Sequence, residues 1–268
     1  MGENNFDKII ADIKSIKIQG ATNIAKAGIE AYMKCPTKSC EKKIIATRAT
    51  EPLLQSSIKS IKKSKNIDVE GRALLKKIDK DRITLAKNGA ALIKDKMKIF
   101  THCHSSSVIE ILKEAKRQKK KFHIYTVEVE PLLQGRMTAK DLAKSRIKVT
   151  IGPDMAAEQL LMGCDLFLFG VDAFLPGGVV NKIGTSTLCK LAKLHNIPRY
   201  SCGVSMKYAK RIKMEKRAGR EVWEDNKKEI EVVYPAFDKT RWENVTGVVS
   251  ELGVLKSKGF LKVIKSKN

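Results

Sequence analysis

From Phe6 to about Lys94 the apolar residues recur at intervals of three and four. Ile9, Ile10, Ile13 and Ile16 form one such stripe, and Ala73, Leu74, Ile78, Ile83 and Leu85 form another. That spacing places one face of an α-helix against a core. Breaks at Gln19-Gly20, near Pro36 and at Glu51-Pro52 divide the segment into four or five helices, the last predicted over residues 67–95. After Asp95 the rhythm shortens. Met97 to Thr101, Phe122 to Glu128, Lys148 to Ile151, Leu166 to Val171 and Arg199 to Val204 read as strands. Between them, Ser106 to Gln118, Thr138 to Lys144, Ala156 to Met162 and Ser186 to Leu194 read as helices. Strand and helix alternating over short connections predict a parallel sheet covered on both faces. The expected organisation is therefore an N-terminal helical domain, 1–95, followed by a Rossmann-like, doubly wound α/β domain, 96–268. Ligands of such sheets bind at the carboxyl ends of the strands.

Composition narrows the class. A hydrophobic content of 43% over 268 residues supplies a real core. The most apolar stretch, Cys164 to Val180, is interrupted by Asp165, Asp172 and Pro176-Gly177-Gly178, so no membrane span is expected. MGENNFDKII lacks the form of a signal peptide, and a cytoplasmic location is expected. The six cysteines, at 35, 40, 103, 164, 189 and 202, are read as thiols, because nothing marks a secreted disulfide scaffold. No spacing suits structural zinc. The net charge of +24 admits two readings, solvated faces that attract anions or a surface for RNA. Its lysines are spread along the chain, including Lys207 to Arg220, without the aromatic interleaving of a base-stacking surface.

Two strand ends carry candidate chemistry. The first strand runs into Thr101-His102-Cys103-His104-Ser105-Ser106-Ser107 and then a helix. Three consecutive residues leaving a strand do not converge on one ion, which argues against a His-Cys-His metal site. A cysteine at a helix N-terminus can instead be a stabilised thiolate, and the serines can cap the helix and face an anion. The plainer alternative is a half-buried thiol without a role. The strand Leu166 to Val171 ends on Asp172, followed by Asn181, Lys182 and Gly184-Thr185, where a helix opens in the manner of a phosphate cradle. Asp172 read in isolation also fits a turn or cap residue.

The segments THCHSSSVIEIL, VEVEPLLQGRMTAKDLA, GCDLFLFGVDAF, GGVVNKIGT and CGVSMKYAKR resemble the translation initiation factor 2B alpha/beta/delta superfamily. This family includes archaeal-type ribose-1,5-bisphosphate isomerase and 5-methylthioribose-1-phosphate isomerase. The resemblance implies catalytic roles for Cys103 and Asp172, and phosphate contacts at Gly20, Ala21, Arg48, Ser105, Ser106, Ser107, Asn181, Lys182 and Lys207. It implies an aldose–ketose isomerase, an intramolecular oxidoreductase acting without cofactor or metal on a C1-phosphorylated pentose such as ribose 1,5-bisphosphate. It also implies a homo-oligomer, dimer or hexamer. The chain departs from the family pattern in three places: Gln19 stands where the isomerases have an arginine, Val171 replaces the usual alanine, and the segment after Asp172 is one residue shorter, with Pro176-Gly177-Gly178 in place of the usual Asn-Gly.

The alternative is a regulatory subunit that binds a sugar phosphate or nucleotide and contacts a translation factor, or RNA, through its basic surface. A structural oligomerisation domain is the third reading.

Overall fold

The computed structural model describes residues 3–15, 17–48, 50–214, 217–224 and 227–267. Five helices come first: α1 (Glu3–Lys14), α2 (Ala21–Lys34), α3 (Lys38–Thr47), α4 (Pro52–Ile61) and α5 (Ile67–Ala90). Their limits follow from local chemistry. Thr37 caps α3 by accepting from the Cys40 N–H at 3.2 Å, Pro52 opens α4, and Asn66 caps α5 by accepting from the Val69 N–H at 3.1 Å. Ile10 and Ile13 are buried in the helical core as their spacing requires. Ile16 lies outside the described residues. α5 stops at Ala90 rather than at residue 95, because the chain must turn so that the Lys96 N–H can reach the Lys121 carbonyl at 2.6 Å. Cys35 and Cys40 form a disulfide, contrary to the expectation of free thiols; the turn between α2 and α3 brings their Cα atoms to 6.1 Å, within bridging range.

The remaining elements are β1 (Lys98–His102), α6 (Ser106–Arg117), β2 (His123–Val127), α7 (Gln134–Lys144), β3 (Lys148–Gly152), α8 (Ala157–Leu161) and β4 (Leu166–Gly170). There follow β5 (Ala173–Leu175), β6 (Gly178–Lys182), α9 (Thr185–Leu194), β7 (Arg199–Cys202), β8 (Phe237–Thr240), β9 (Gly247–Ser250), β10 (Gly253–Leu255) and α10 (Ser257–Lys267). The main sheet has the order β10-β9-β7-β4-β1-β2-β3, all parallel except β10 against β9. A second, antiparallel sheet, β5-β6-β8, stands beside it. None of its three strands is among those read from the sequence, because three-residue β5 and the Gly177-Gly178 turn carry little strand signal.

Every residue of β4 is buried, which explains its unbroken apolar run. One face of the main sheet packs with α5, α6 and α7 through Leu85, Ile111 and Leu142; the other packs with α8, α9 and α10 through Leu161, Leu188 and Phe260. The first core also takes Ala25 and Leu53 from the N-terminal helices. The chain leaves β1 toward β2 on one side, while β4 lies on the other. The topological switch point is therefore between β1 and β4, where a crevice forms outside the carboxyl ends.

Candidate active site

Cys103 follows β1 and Asp172 follows β4, one on each side of that crevice. Both line a cleft of about 130 Å³. Cys103 has a left-handed backbone, φ 65°, a conformation that costs roughly 1 kcal/mol or more outside glycine and that surrounding structure must hold. The twist turns the thiol inward, where it donates to Gln134 Oε1 at 3.3 Å. Burial and then the charge of Asp172 push this thiol up to about 12. The expectation of a dipole-stabilised thiolate is thus not met: α6 is capped by Ser105, two residues further on, and desolvation outweighs the helix end.

The flanking histidines point to different partners. His102 is buried, hydrogen-bonds the Ile183 carbonyl through Nε2 at 3.0 Å, and is held by burial at about 4, so it is neutral. It ties β1 to the corner between β6 and α9. His104 Nδ1 lies 3.0 Å from Thr138 Oγ1, whose own proton goes to the Cys103 carbonyl at 2.9 Å. Thr138 must therefore accept from Nδ1–H, which leaves His104 Nε2 as an acceptor. Burial also lowers the pKa of His104, and His104 lines the cleft.

Two helix N-termini reach the same cleft. α2 begins after Gly20, φ 81°, without a side-chain cap, and Gln19, Gly20 and Ala21 line the wall there. α6 begins at the same cleft, with Ser105 and Ser106. The second approach needs Gly170: a Cβ there would stand 2.6 Å from Ser105 Oγ. Ser107 is buried in the first turn of α6 and does not line the cleft. The expected cradle at α9 is occupied from within. Asp238 accepts from the Gly184 and Ser186 N–H groups at 2.9 and 3.0 Å, and burial raises this acid to about 6.

Side chains complete the lining. Asn181 donates to Thr185 Oγ1 at 3.0 Å, which fixes it over the crevice. Lys182 is hydrogen-bonded to Tyr234 OH, and burial lowers its pKa. Lys207 is buried against Gly203 and donates to the Val171 carbonyl, so its stem supports the backbone beside Asp172. Arg48 and Arg217 also line the cleft, with Glu51 as the second acid besides Asp172. Four cationic groups therefore face two carboxylates, a balance that favours anions.

Of the residues singled out in the sequence, the cleft gathers Gly20, Ala21, Arg48, Cys103, Ser105, Ser106, Asp172, Asn181, Lys182 and Lys207. Glu51, Gln134, Arg217 and Tyr234 were not foreseen. Glu51 was read as a helix break, and Arg217 as one charge in a basic run. The segment PLLQGR held the only hint of Gln134.

The sequence profile of the Initiation factor 2 subunit family matches residues 17–257. Ribose 1,5-bisphosphate isomerase of Methanocaldococcus jannaschii is 28% identical over 94% of this chain and 92% of its own length. Methylthioribose-1-phosphate isomerase of Caldicellulosiruptor saccharolyticus is 34% identical over 76% of this chain and 65% of its own. The crystal structure of translation initiation factor eIF-2B from Pyrococcus horikoshii OT3 superposes with a TM-score of 0.84 at 24% identity, covering 94% of this chain and 97% of that one, and shows a shared fold. Among the described residues no helix is long and apolar enough to cross a membrane.

Proposed function

Because the chain belongs to the Initiation factor 2 subunit family, we propose that its cleft is the active site of a sugar-phosphate isomerase, converting a C1-phosphorylated pentose such as ribose 1,5-bisphosphate to the corresponding ketose. The observation that carries this reading is the meeting of Cys103 and Asp172 at the switch point, between the uncapped start of α2 and the start of α6. Gly20, Ala21 and Arg48 are suited to a phosphate at one end of such a substrate. Ser105, Ser106, Asn181, Lys182 and Lys207 are suited to the other, as N–H, hydroxyl, amide and ammonium donors.

The phosphate ester on C1 blocks spontaneous ring opening. A proton must reach the ring oxygen as its bond to C1 breaks. The C2–H proton then leaves to give an enol, a proton enters at C1, and the C2 hydroxyl proton departs to give the ketone. Two protons enter the sugar and two leave it, so a pair holding one proton suffices. Cys103 and Asp172 are such a pair: the thiol keeps its proton because it is buried beside the carboxylate. At the start of the reaction the thiol is the proton source and the carboxylate the proton acceptor, and the roles alternate through the reaction. His104 Nε2 offers a hydroxyl a further acceptor at the wall. The same reading includes association of copies into a dimer or hexamer, which sedimentation velocity decides.

Purified protein is expected to convert ribose 1,5-bisphosphate, and Cys103→Ser and Asp172→Asn to lose about 10²- to 10⁴-fold in kcat while still binding it. Wild-type protein that binds the sugar but does not turn it over sinks the isomerase in favour of a binding module.

A further inference from the structure

A neutral Gln19 stands at the α2 corner, so Arg48 is the guanidinium the N-terminal helices bring to the cleft, and a second one reaches it from the far end of the chain. Arg217 stands on the long connection between β7 and β8, and its side chain is only 13% exposed. It lines the cleft with Gln19 and Lys182. It is also close enough to Lys182 for its charge to oppose that ammonium, while Glu221 and Asp172 favour it. One edge of the guanidinium, Nε and Nη2, donates to a single oxygen of Glu221 at 3.0 and 2.7 Å. A pair four residues apart usually lies on a solvated surface, where it contributes a few tenths of a kcal/mol. This one is turned inward, toward the Lys182 ammonium. Two cations side by side in a half-buried space are unfavourable unless anions join them, and Glu221 now serves that end. A dianion between them would take the fork geometry that Glu221 now engages.

Resting on the phosphate-ligand reading above, we propose that Arg217 is a phosphate-gripping residue of this cleft, and that Glu221 is its placeholder, surrendering the guanidinium when the ligand arrives. Arg217 thereby supplies the bidentate donor that Gln19 cannot. Its role is in affinity: it holds the ligand, and the reacting atoms remain with Cys103 and Asp172.

Binding of inorganic phosphate and of ribose 1,5-bisphosphate is measured by calorimetry on the full chain, with melting curves as the folding control. Arg217→Gln is expected to weaken both by roughly 30-fold, and Arg217→Lys by less, since it keeps charge but loses the fork. Glu221→Gln can still accept from the arginine but no longer neutralises it, so it is expected to tighten both by about 3- to 10-fold. In turnover, Arg217→Lys is expected to raise KM with kcat nearly unchanged. Wild-type affinity in a folded Arg217→Gln, or weakening in Glu221→Gln equal to that of Arg217→Gln, overturns the proposal and leaves the pair a structural brace. If inorganic phosphate behaves as expected but wild type does not bind the sugar, the gripping role stands and the isomerase reading fails. If wild type binds neither, both fail.

Discussion

Two of the helices that start near the carboxyl edge of the main sheet, α6 and α9, are treated in opposite ways. α6 is capped by its own Ser105, through a long 3.5 Å contact to the Val108 N–H, and its first turn faces the cleft. α9 is plugged by Asp238, delivered from β8, which takes two of its N–H groups. A positive helix end attracts anions whether or not it belongs to a site. The fold thus turns toward the cleft the ends that border the Cys103–Asp172 pair and closes one that follows Lys182 in sequence. The presence of a Gly-Thr turn before a helix does not predict which will happen; a side chain more than fifty residues later decides it.

The comparison can be broken most severely at Gly170. Gly170→Val places a side chain where even a Cβ would meet Ser105 Oγ at 2.6 Å, so the start of α6 must move. Phosphate affinity is expected to fall at least about tenfold and stability by roughly 1–3 kcal/mol, measured by calorimetry and denaturant unfolding. Unchanged binding would mean that α6 is not a wall of the ligand site. Asp238→Asn tests the plug. Asp238 is raised from 3.8 to about 6, so its contribution favours the fold fully below pH 4 and is lost as pH rises through 6. The wild type is therefore expected to lose about 2 kcal/mol against Asp238→Asn between pH 4 and 7, read from paired unfolding curves. Phosphate affinity should not change; if it rises or falls with the variant, α9 belongs to the site.

The chemistry of the open side is checked by alkylation. With the thiol at about 12, Cys103 should react with iodoacetamide no faster than its Ser variant's remaining cysteines at pH 8, and rapidly only above about pH 11. Fast reaction near neutrality would restore the thiolate. The smallest effect is expected from Ser105→Ala, about 0.5 kcal/mol, because the cap contact is long.

Sequence reading was strong where one physical signal dominated. β4 is apolar throughout because it is covered on both faces, and Asp172 at its end was legible for that reason. The helices up to Ala90 followed from their breaks and from a stripe of period 3.6, of which Leu74, Ile78 and Leu85 are buried while Ala73 and Ile83 are exposed. Legibility ended where meaning depended on distant partners. The pKa of Cys103 is set by its turned-in backbone and by Asp172, neither of which local sequence shows. Arg217 belongs to a run of basic residues that look alike until the chain folds. Cys35 and Cys40 looked unrelated because the turn that joins them was unknown.

The shared core beneath the cleft bears on how the chain could be divided. Ala25 and Leu53 are buried together with Ile99 and Leu168, and α5 lies along α6. A cut near residue 95 would strip apolar surface from both pieces at once, and would separate Gly20 and Arg48 from Cys103 and Asp172. Neither fragment could carry the ligand site by itself, but co-expressed they would present complementary faces, a natural split for a reconstitution reporter. The cleft would then report reassembly, since no ligand could be held until both halves had met.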